Sequence, residues 1–182
     1  MINDFSLLCR LFGNLFLRSP TDPILHNTFN WLKQGGLRQQ WALNTDIQSE
    51  QALTIVENNA IPEQLSMHYA MLFGENGKVT TAISDYGFSV EKFILFRQLR
   101  AMPELKEPNH TALLLLTASW IEDNLHSLEA QRELFEQFLL PCLSKFLGQV
   151  EAFDTNFYKA LAQLTRDGLS AMADELEETP IK

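Results

Sequence analysis

The 182-residue sequence contains few of the residues that build a catalytic or metal site. It has two cysteines and four histidines, and none of them falls at the spacings of zinc-binding motifs. It has no G-x-S-x-G nucleophile motif, and no glycine-rich loop is followed by the Lys-Ser/Thr pair that binds phosphate. Glu122 and Asp123 are adjacent, and adjacent positions of a helix do not face one another. We therefore predict a protein that is not an enzyme and has no metal site.

Basic residues are also scarce. The sequence has 14 Lys and Arg against 23 Asp and Glu, which gives a net charge of −9. Binding to a nucleic-acid backbone needs clustered basic side chains, so this composition argues against a nucleic-acid partner. An acidic surface attracts cationic partners instead, although many cytoplasmic proteins are acidic without any such role.

Long apolar runs are missing as well. No uninterrupted stretch approaches the roughly 20 apolar residues of a membrane-spanning helix. The first residues lack the basic segment and small-residue cleavage site of a secretory signal. Cys9 and Cys142 are far apart in apolar surroundings, which predicts buried, reduced thiols. We expect a cytoplasmic protein that does not insert into a membrane.

Apolar residues, which make up 46% of the chain, recur at helical spacing, and no stretch alternates with the period of a strand. We predict an all-α fold in which residues 1–182 form a single-domain bundle of about eight helices. Most predicted helices start at a residue that favours a helix N-terminus. These residues are Asp22 before Pro23, Thr45 or Asp46, Pro62, Ser89, Asn109, Ser127 and Thr155. Pro141 falls inside the predicted helix that starts at Ser127 and should distort it.

Two connecting segments attract attention. Residues 75–87 form a long loop with few apolar anchors, and long loops in compact domains are often functional. Residues 101–110, here called the elbow, contain Glu107, Pro108, Asn109 and His110 immediately before the most apolar helix. Pro108 prevents an unbroken helix, and Asn109 favours the N-cap position. An ordinary linker followed by an N-cap explains the elbow equally simply.

Several short motifs, in order and spacing, resemble the TorD/DmsD family of redox-enzyme maturation chaperones. They are Tyr69-x-x-Leu72-Phe73-Gly74, Ser84-x-Tyr86, Pro108-Asn109-His110, and Phe138-Leu-Leu-Pro141 with Phe146 to Glu151. The likeness covers nearly the whole chain. The run from Leu164 to Glu178 is most similar to the YcdY branch of that family.

The resemblance implies an all-helical chaperone that binds the twin-arginine leader, or another segment, of a redox-enzyme (molybdoenzyme) precursor and assists cofactor insertion before export. It places Tyr69, Leu72 and Phe73 in the leader-binding groove. Ser84 and Tyr86 would lie in the loop beside this groove, with Glu107, Pro108, Asn109 and His110 at the elbow. Family members are also described as binding guanine nucleotide or a molybdopterin-type cofactor weakly, whereas the residues themselves indicate no cofactor.

The sequence departs from the family pattern at three places. Glu107-Pro108 is followed directly by Asn109-His110, one residue short of the family's E-P-x-D-H elbow. Asn109 replaces the aspartate and so removes a carboxylate that would pair with arginine. Thr81 and Ala82 stand where leader-binding members tend to have proline and a large aromatic residue. The YcdY branch is thought to serve a zinc-dependent metallohydrolase, which is a second type of client.

Three functions follow as hypotheses. In the first, Tyr69, Leu72, Phe73 and Tyr86 form a groove for a client segment, and carboxylates attract its arginines. The carboxylates proposed for this role are Glu75, Asp85 and Glu107. Core packing explains Leu72 and Phe73 equally well. The second is weak guanine-nucleotide binding through Lys78, Arg97 and Arg100, and the third is a helical dimerisation module. The chain would accordingly be a monomer or a homodimer.

Overall fold

A computed structural model describes residues 4–43 and 45–178, with the side chain of residue 178 excepted. The described residues are helical with no strand, so the predicted all-α single-domain bundle is confirmed. The α-helices are α1 (Asp4–Leu17), α2 (His26–Lys33), α3 (Gly36–Gln40), α4 (Ile47–Asn58), α5 (Pro62–Phe73), α6 (Val90–Gln98), α7 (Ala112–Trp120), α8 (Leu128–Leu134), α9 (Leu140–Phe153) and α10 (Phe157–Glu178). Short 3₁₀ turns cover Pro23–Leu25 and Ile83–Tyr86.

Side-chain caps start several helices where the sequence predicts them. The carboxylate of Asp22 accepts a hydrogen bond from the Ile24 N–H, and that of Asp46 accepts one from the Ser49 N–H at 2.7 Å. The hydroxyls of Ser89 and Ser127 accept from N–H groups three residues later. Each cap satisfies a backbone donor that has no partner within its own helix.

Two predicted caps are wrong. The side chain of Asp154, not that of Thr155, accepts hydrogen bonds from the N–H groups of Asn156 and Lys159 before α10. Asn109 is not an N-cap either, because α7 begins three residues later, at Ala112. At both places, a neighbouring side chain accepts the hydrogen bond at the helix start instead, Asp154 for α10 and His110 for α7.

The distortion predicted near Pro141 takes the form of a π turn. Residues Phe135–Leu139 are π-helical, and the Leu140 N–H donates to the carbonyl of Phe135. The turn joins α8 and α9 into a continuous rod, and Pro141 is the second residue of α9, directly after the π turn. A second π turn, Ile121–Leu125, extends α7.

The core forms around α1, α7, α9 and α10. Helix α1 packs along α7, and α10 packs against both α9 and α4. Gly13 permits the close approach of α1 to α7, because a Cβ at this position would lie 2.8 Å from the side chain of Leu116. One continuous cluster of buried apolar residues results.

The two thiols lie in this core, as predicted. Cys9 and Cys142 are free and buried, and burial raises the pKa of each thiol to about 12. A thiol with so high a pKa is a poor nucleophile and metal ligand at neutral pH. No helix within the described residues is long and apolar enough to cross a membrane.

Candidate functional site

Asn109 connects the elbow to the 75–87 loop through hydrogen bonds to Ser84. Its amide oxygen accepts from the Ser84 N–H at 3.1 Å, and its amide nitrogen lies 2.8 Å from the Ser84 hydroxyl. Next to this pair, the Thr111 N–H donates to the carbonyl of Thr81 at 2.8 Å. The two segments that the sequence analysis singled out are therefore hydrogen-bonded neighbours, although they are about 25 residues apart in sequence.

His110 caps α7 in place of Asn109. Its Nδ1 accepts a hydrogen bond from the Ala112 N–H at 3.0 Å, which requires the imidazole to be neutral. Burial lowers the pKa of His110 to about 4. The neutral ring thus forms part of the hydrogen-bonded structure of the elbow.

The His110 cap predicts a pH dependence of stability. The folded-state pKa of about 4 lies below the ordinary value of 6.5, so the contribution of His110 is complete above pH 6.5 and is lost as the pH falls from 6.5 through 4. The loss is about 3 kcal/mol at most. Urea denaturation between pH 7.5 and 4 should therefore show a shallower decline in unfolding free energy for His110→Gln than for the wild type. Parallel profiles for the two proteins would contradict this role.

The predicted groove residues on α5 lie largely inside the protein. Leu72 is 0% exposed, which corrects its assignment to an open groove. Phe73 is half-buried among four aromatic rings with centroids 5.3–6.1 Å away. These rings, here called the aromatic cluster together with Phe73, belong to Phe16, Tyr69, Phe146 and Tyr158. The chain's own rings therefore cover much of the surface that Leu72 and Phe73 were predicted to offer to a client.

The two tyrosines of the predicted site are also turned inward. The Tyr69 hydroxyl donates to the carbonyl of Leu17, the last residue of α1, at 3.1 Å, and burial raises the pKa of Tyr69 to about 12. Tyr86 is 7% exposed, which corrects its predicted place beside an open groove. Its hydroxyl donates to the carbonyl of Thr80 at 2.6 Å, and its ring packs edge-on to Phe146. Both hydroxyls therefore donate hydrogen bonds to backbone carbonyls of the chain itself.

An open cleft adjoins the elbow. It has a volume of about 460 Å³ between the end of α6 and the elbow. This elbow cleft is lined by Ile94, Arg97, Gln98, Met102, Pro103, Glu104, Leu105 and Pro108. Of the residues predicted from the sequence, Pro108 lines it directly. Ser84, Glu107, Asn109 and His110 belong to the elbow or to the loop that is bonded to it.

Two exposed leucines, Leu95 in α6 and Leu99 directly after its end, each follow a residue that lines the elbow cleft, although neither lines the cleft itself. Leu95 is 53% exposed and Leu99 is 74% exposed, and we call them the leucine pair. They lie one helical turn apart, and Gln98 of the cleft wall adjoins both. Phe93 and Phe96 of the same helix are buried. Helix α6 therefore presents apolar side chains both to the core and to solvent.

Neither the leucine pair nor most of the cleft lining was predicted from the sequence. A signal was present, because Phe93, Ile94, Leu95 and Phe96 are four consecutive apolar residues, and one buried face of a helix does not accommodate four consecutive positions. The elbow cleft itself depends on how residues 103–108 fold back on α6, which no local pattern reveals.

Charged residues around the site fall into two groups. The three carboxylates proposed to attract arginines, Glu75, Asp85 and Glu107, are all exposed. The three cations proposed for nucleotide phosphate do not converge. Lys78 lies over the ring of Phe153, Arg100 pairs with Glu133, and Arg97 is buried in the cleft wall. Phosphate recognition needs several cations that converge on one point, so the contacts of these three residues do not favour a nucleotide there.

Three curated proteins were found to be similar over nearly the full chain. An uncharacterized protein of Haemophilus influenzae is 58% identical over 97% of both chains. The chaperone protein YcdY of Escherichia coli K12 is 39% identical, over 97% of this chain and 98% of its own. A probable Tat proofreading chaperone, DmsD of H. influenzae, is 22% identical, over 90% and 87%. No protein-family model matches the sequence.

Proposed function

The chain belongs to the TorD/DmsD family of chaperones, in the branch that contains YcdY, and from this membership we propose that it is a cytoplasmic chaperone for a redox enzyme. As a member of that family it is a chaperone and not an enzyme. In the proposal it binds the twin-arginine leader, or another segment, of a molybdoenzyme precursor. It releases the client after cofactor insertion, before export.

The leucine pair beside the elbow cleft is the observation that carries the proposed binding site. Exposed leucines next to a concave surface are the arrangement expected of a site that takes an apolar peptide segment. Covering the exposed parts of Leu95 and Leu99 would contribute roughly 2–4 kcal/mol, which corresponds to about a thirty- to thousandfold gain in affinity.

The acidic side chains around the site suit a client with arginines. Glu104 lines the elbow cleft, Glu107 is exposed on the elbow, and Asp85 is exposed next to Ser84. Exposed carboxylates contribute little to affinity one by one, but they speed the encounter with a cationic segment and orient it. The proposal thus assigns apolar contacts to the leucine pair and arginine attraction to the surrounding carboxylates.

Capture of a redox-enzyme precursor with and without its leader tests the proposal. The purified protein is immobilised, and enzymes recovered from the source organism's extract are identified and then expressed in both forms. We expect the precursor to bind at least tenfold more tightly than the leader-truncated form. Equal binding of both forms would place recognition in the mature enzyme, and capture of a zinc-dependent metallohydrolase alone would favour that client. Failure to bind any redox-enzyme precursor would overturn the proposal.

A further inference from the structure

Arg97 is a buried cation in the wall of the elbow cleft. It is only 8% exposed, although arginine is among the residues least often buried unless it is paired. Its Nη2 donates to the carbonyl of Pro103 at 2.8 Å, and Pro103 is another residue of the cleft wall. The guanidinium group therefore lies where the core meets the cleft.

The hydrogen bonds of Arg97 leave much of the guanidinium group uncommitted. Its Nη1 donates to the Thr117 hydroxyl at 2.6 Å, and this hydroxyl in turn donates to the carbonyl of Leu113. A guanidinium group has five N–H donors, and the two bonds to Thr117 and Pro103 account for only two of them. Within the described residues, no carboxylate lies at ion-pair distance from Arg97.

The positive charge of Arg97 has no negatively charged partner among the described residues. Burial lowers the pKa of Arg97, because the charged form has lost water without gaining a negative partner. The ring of Phe93, whose centroid lies 5.9 Å from the guanidinium carbon, offsets part of the cost. Glu104 lines the same cleft but is exposed and is not paired with Arg97. The cleft therefore offers N–H donors and positive charge that no described residue neutralises.

We infer that the base of the elbow cleft is a carboxylate-binding subsite, in which Arg97 receives an aspartate or glutamate side chain of the client segment. This inference rests on the proposed function, and it adds the chemistry of one client position. Apolar wall residues, among them Ile94, Met102 and Leu105, would cover the neighbouring client residues. A carboxylate accepts two N–H groups of one guanidinium, and such pairs are strong where water is excluded.

The inference separates two regions of opposite charge preference. The base of the cleft repels arginine because Arg97 carries the same charge, whereas the exposed carboxylates Glu104 and Glu107 attract it. A suitable client segment therefore has an acidic residue between apolar residues, with its arginines farther along the chain. A segment that carries only basic and apolar residues would leave Arg97 unpaired.

A matched pair of peptides tests the subsite on the full-length protein. Both are fluorescently labelled and capped at their two ends, and both have arginines at the ends and leucines on either side of a central residue. That residue is glutamate in one and glutamine in the other. By fluorescence anisotropy, we expect the glutamate peptide to bind about tenfold more tightly than the glutamine peptide, as the loss of a charged hydrogen-bonded pair would cause.

Variants of Arg97 assign the effect to this side chain. Arg97→Met keeps much of the side-chain volume but removes the charge. In this variant the tenfold preference for the glutamate peptide should disappear, so that both peptides bind with about the same affinity. If that variant does not fold, ¹⁵N-labelled arginine in the wild type gives the same answer, because the guanidinium resonance of Arg97 should shift with the glutamate peptide and not with the glutamine peptide.

Several results would overturn the inference. These are equal affinities of the wild type for the two peptides, a preference that persists in Arg97→Met, and displacement of the glutamate peptide by inorganic phosphate as effectively as by unlabelled peptide. If neither peptide binds although the wild type captures a redox-enzyme precursor, the subsite is refuted and the proposed function stands. If precursor capture fails as well, the proposed function falls with it.

Discussion

Phe73→Ala is expected to lower the free energy of unfolding by about 3 kcal/mol, the lower end of the range for removing a packed phenylalanine. Phe73 contacts four rings of the aromatic cluster, which joins α5 to α1, α9 and α10. Its replacement leaves a cavity that these rings, which belong to three other helices and to α5 itself, cannot all move to fill. Urea denaturation monitored by circular dichroism measures the effect.

Phe153→Ala is the matched control for this prediction. Phe153 is 48% exposed, and its ring contacts Lys78 and lies outside the aromatic cluster. We expect its replacement to change the unfolding free energy by less than about 1 kcal/mol. If Phe73 lined an open groove, Phe73→Ala would instead weaken client capture at nearly unchanged stability. That outcome would restore the groove on α5 and contradict the packing described here.

A double substitution of the leucine pair, Leu95→Asp with Leu99→Asp, is expected to weaken client capture by about a hundredfold. The change removes two apolar contacts and places two negative charges where the client would cover them. Both side chains are more than half exposed, so the unfolding free energy should change by less than about 1 kcal/mol. Capture of the redox-enzyme precursor, measured by biolayer interferometry, gives the affinity.

Two exposed apolar residues elsewhere serve as the control for the leucine pair. Ile47 is 77% exposed on α4, and Met67 is 78% exposed on α5. The double variant Ile47→Asp with Met67→Asp introduces the same charge at similarly exposed positions. It should capture the precursor as the wild type does. A hundredfold loss in both double variants would show that the added negative charge, and not the site, determines the result.

The sequence predicts features that depend on neighbouring residues. Asp22, Asp46, Ser89 and Ser127 cap helices because their acceptor groups reach N–H donors two or three residues ahead. The buried state of Cys9 and Cys142 follows equally directly from the apolar residues around them. The fold class rests on the same local patterns.

Features that depend on distant partners were not predictable in this way. Asn109 has the chemistry of an N-cap, yet it bonds Ser84, a residue 25 positions away. Leu72 and Phe73 form an apolar helix face whether a client or the chain's own Phe146 covers it, and only the packing of α5 against α9 decides between these outcomes. Arg97 resembles a surface arginine in the sequence, whereas the fold encloses it between Thr117 and Pro103.

The placement of the client beside the leucine pair is tested most directly by photo-crosslinking. A benzoylphenylalanine is incorporated at position 99 or at position 67, where the natural side chains are 74% and 78% exposed. The redox-enzyme precursor is then added and irradiated. We expect a crosslinked product from position 99 and none from position 67. Crosslinking from position 67 and none from position 99 would place the client on α5 and contradict the elbow-cleft site.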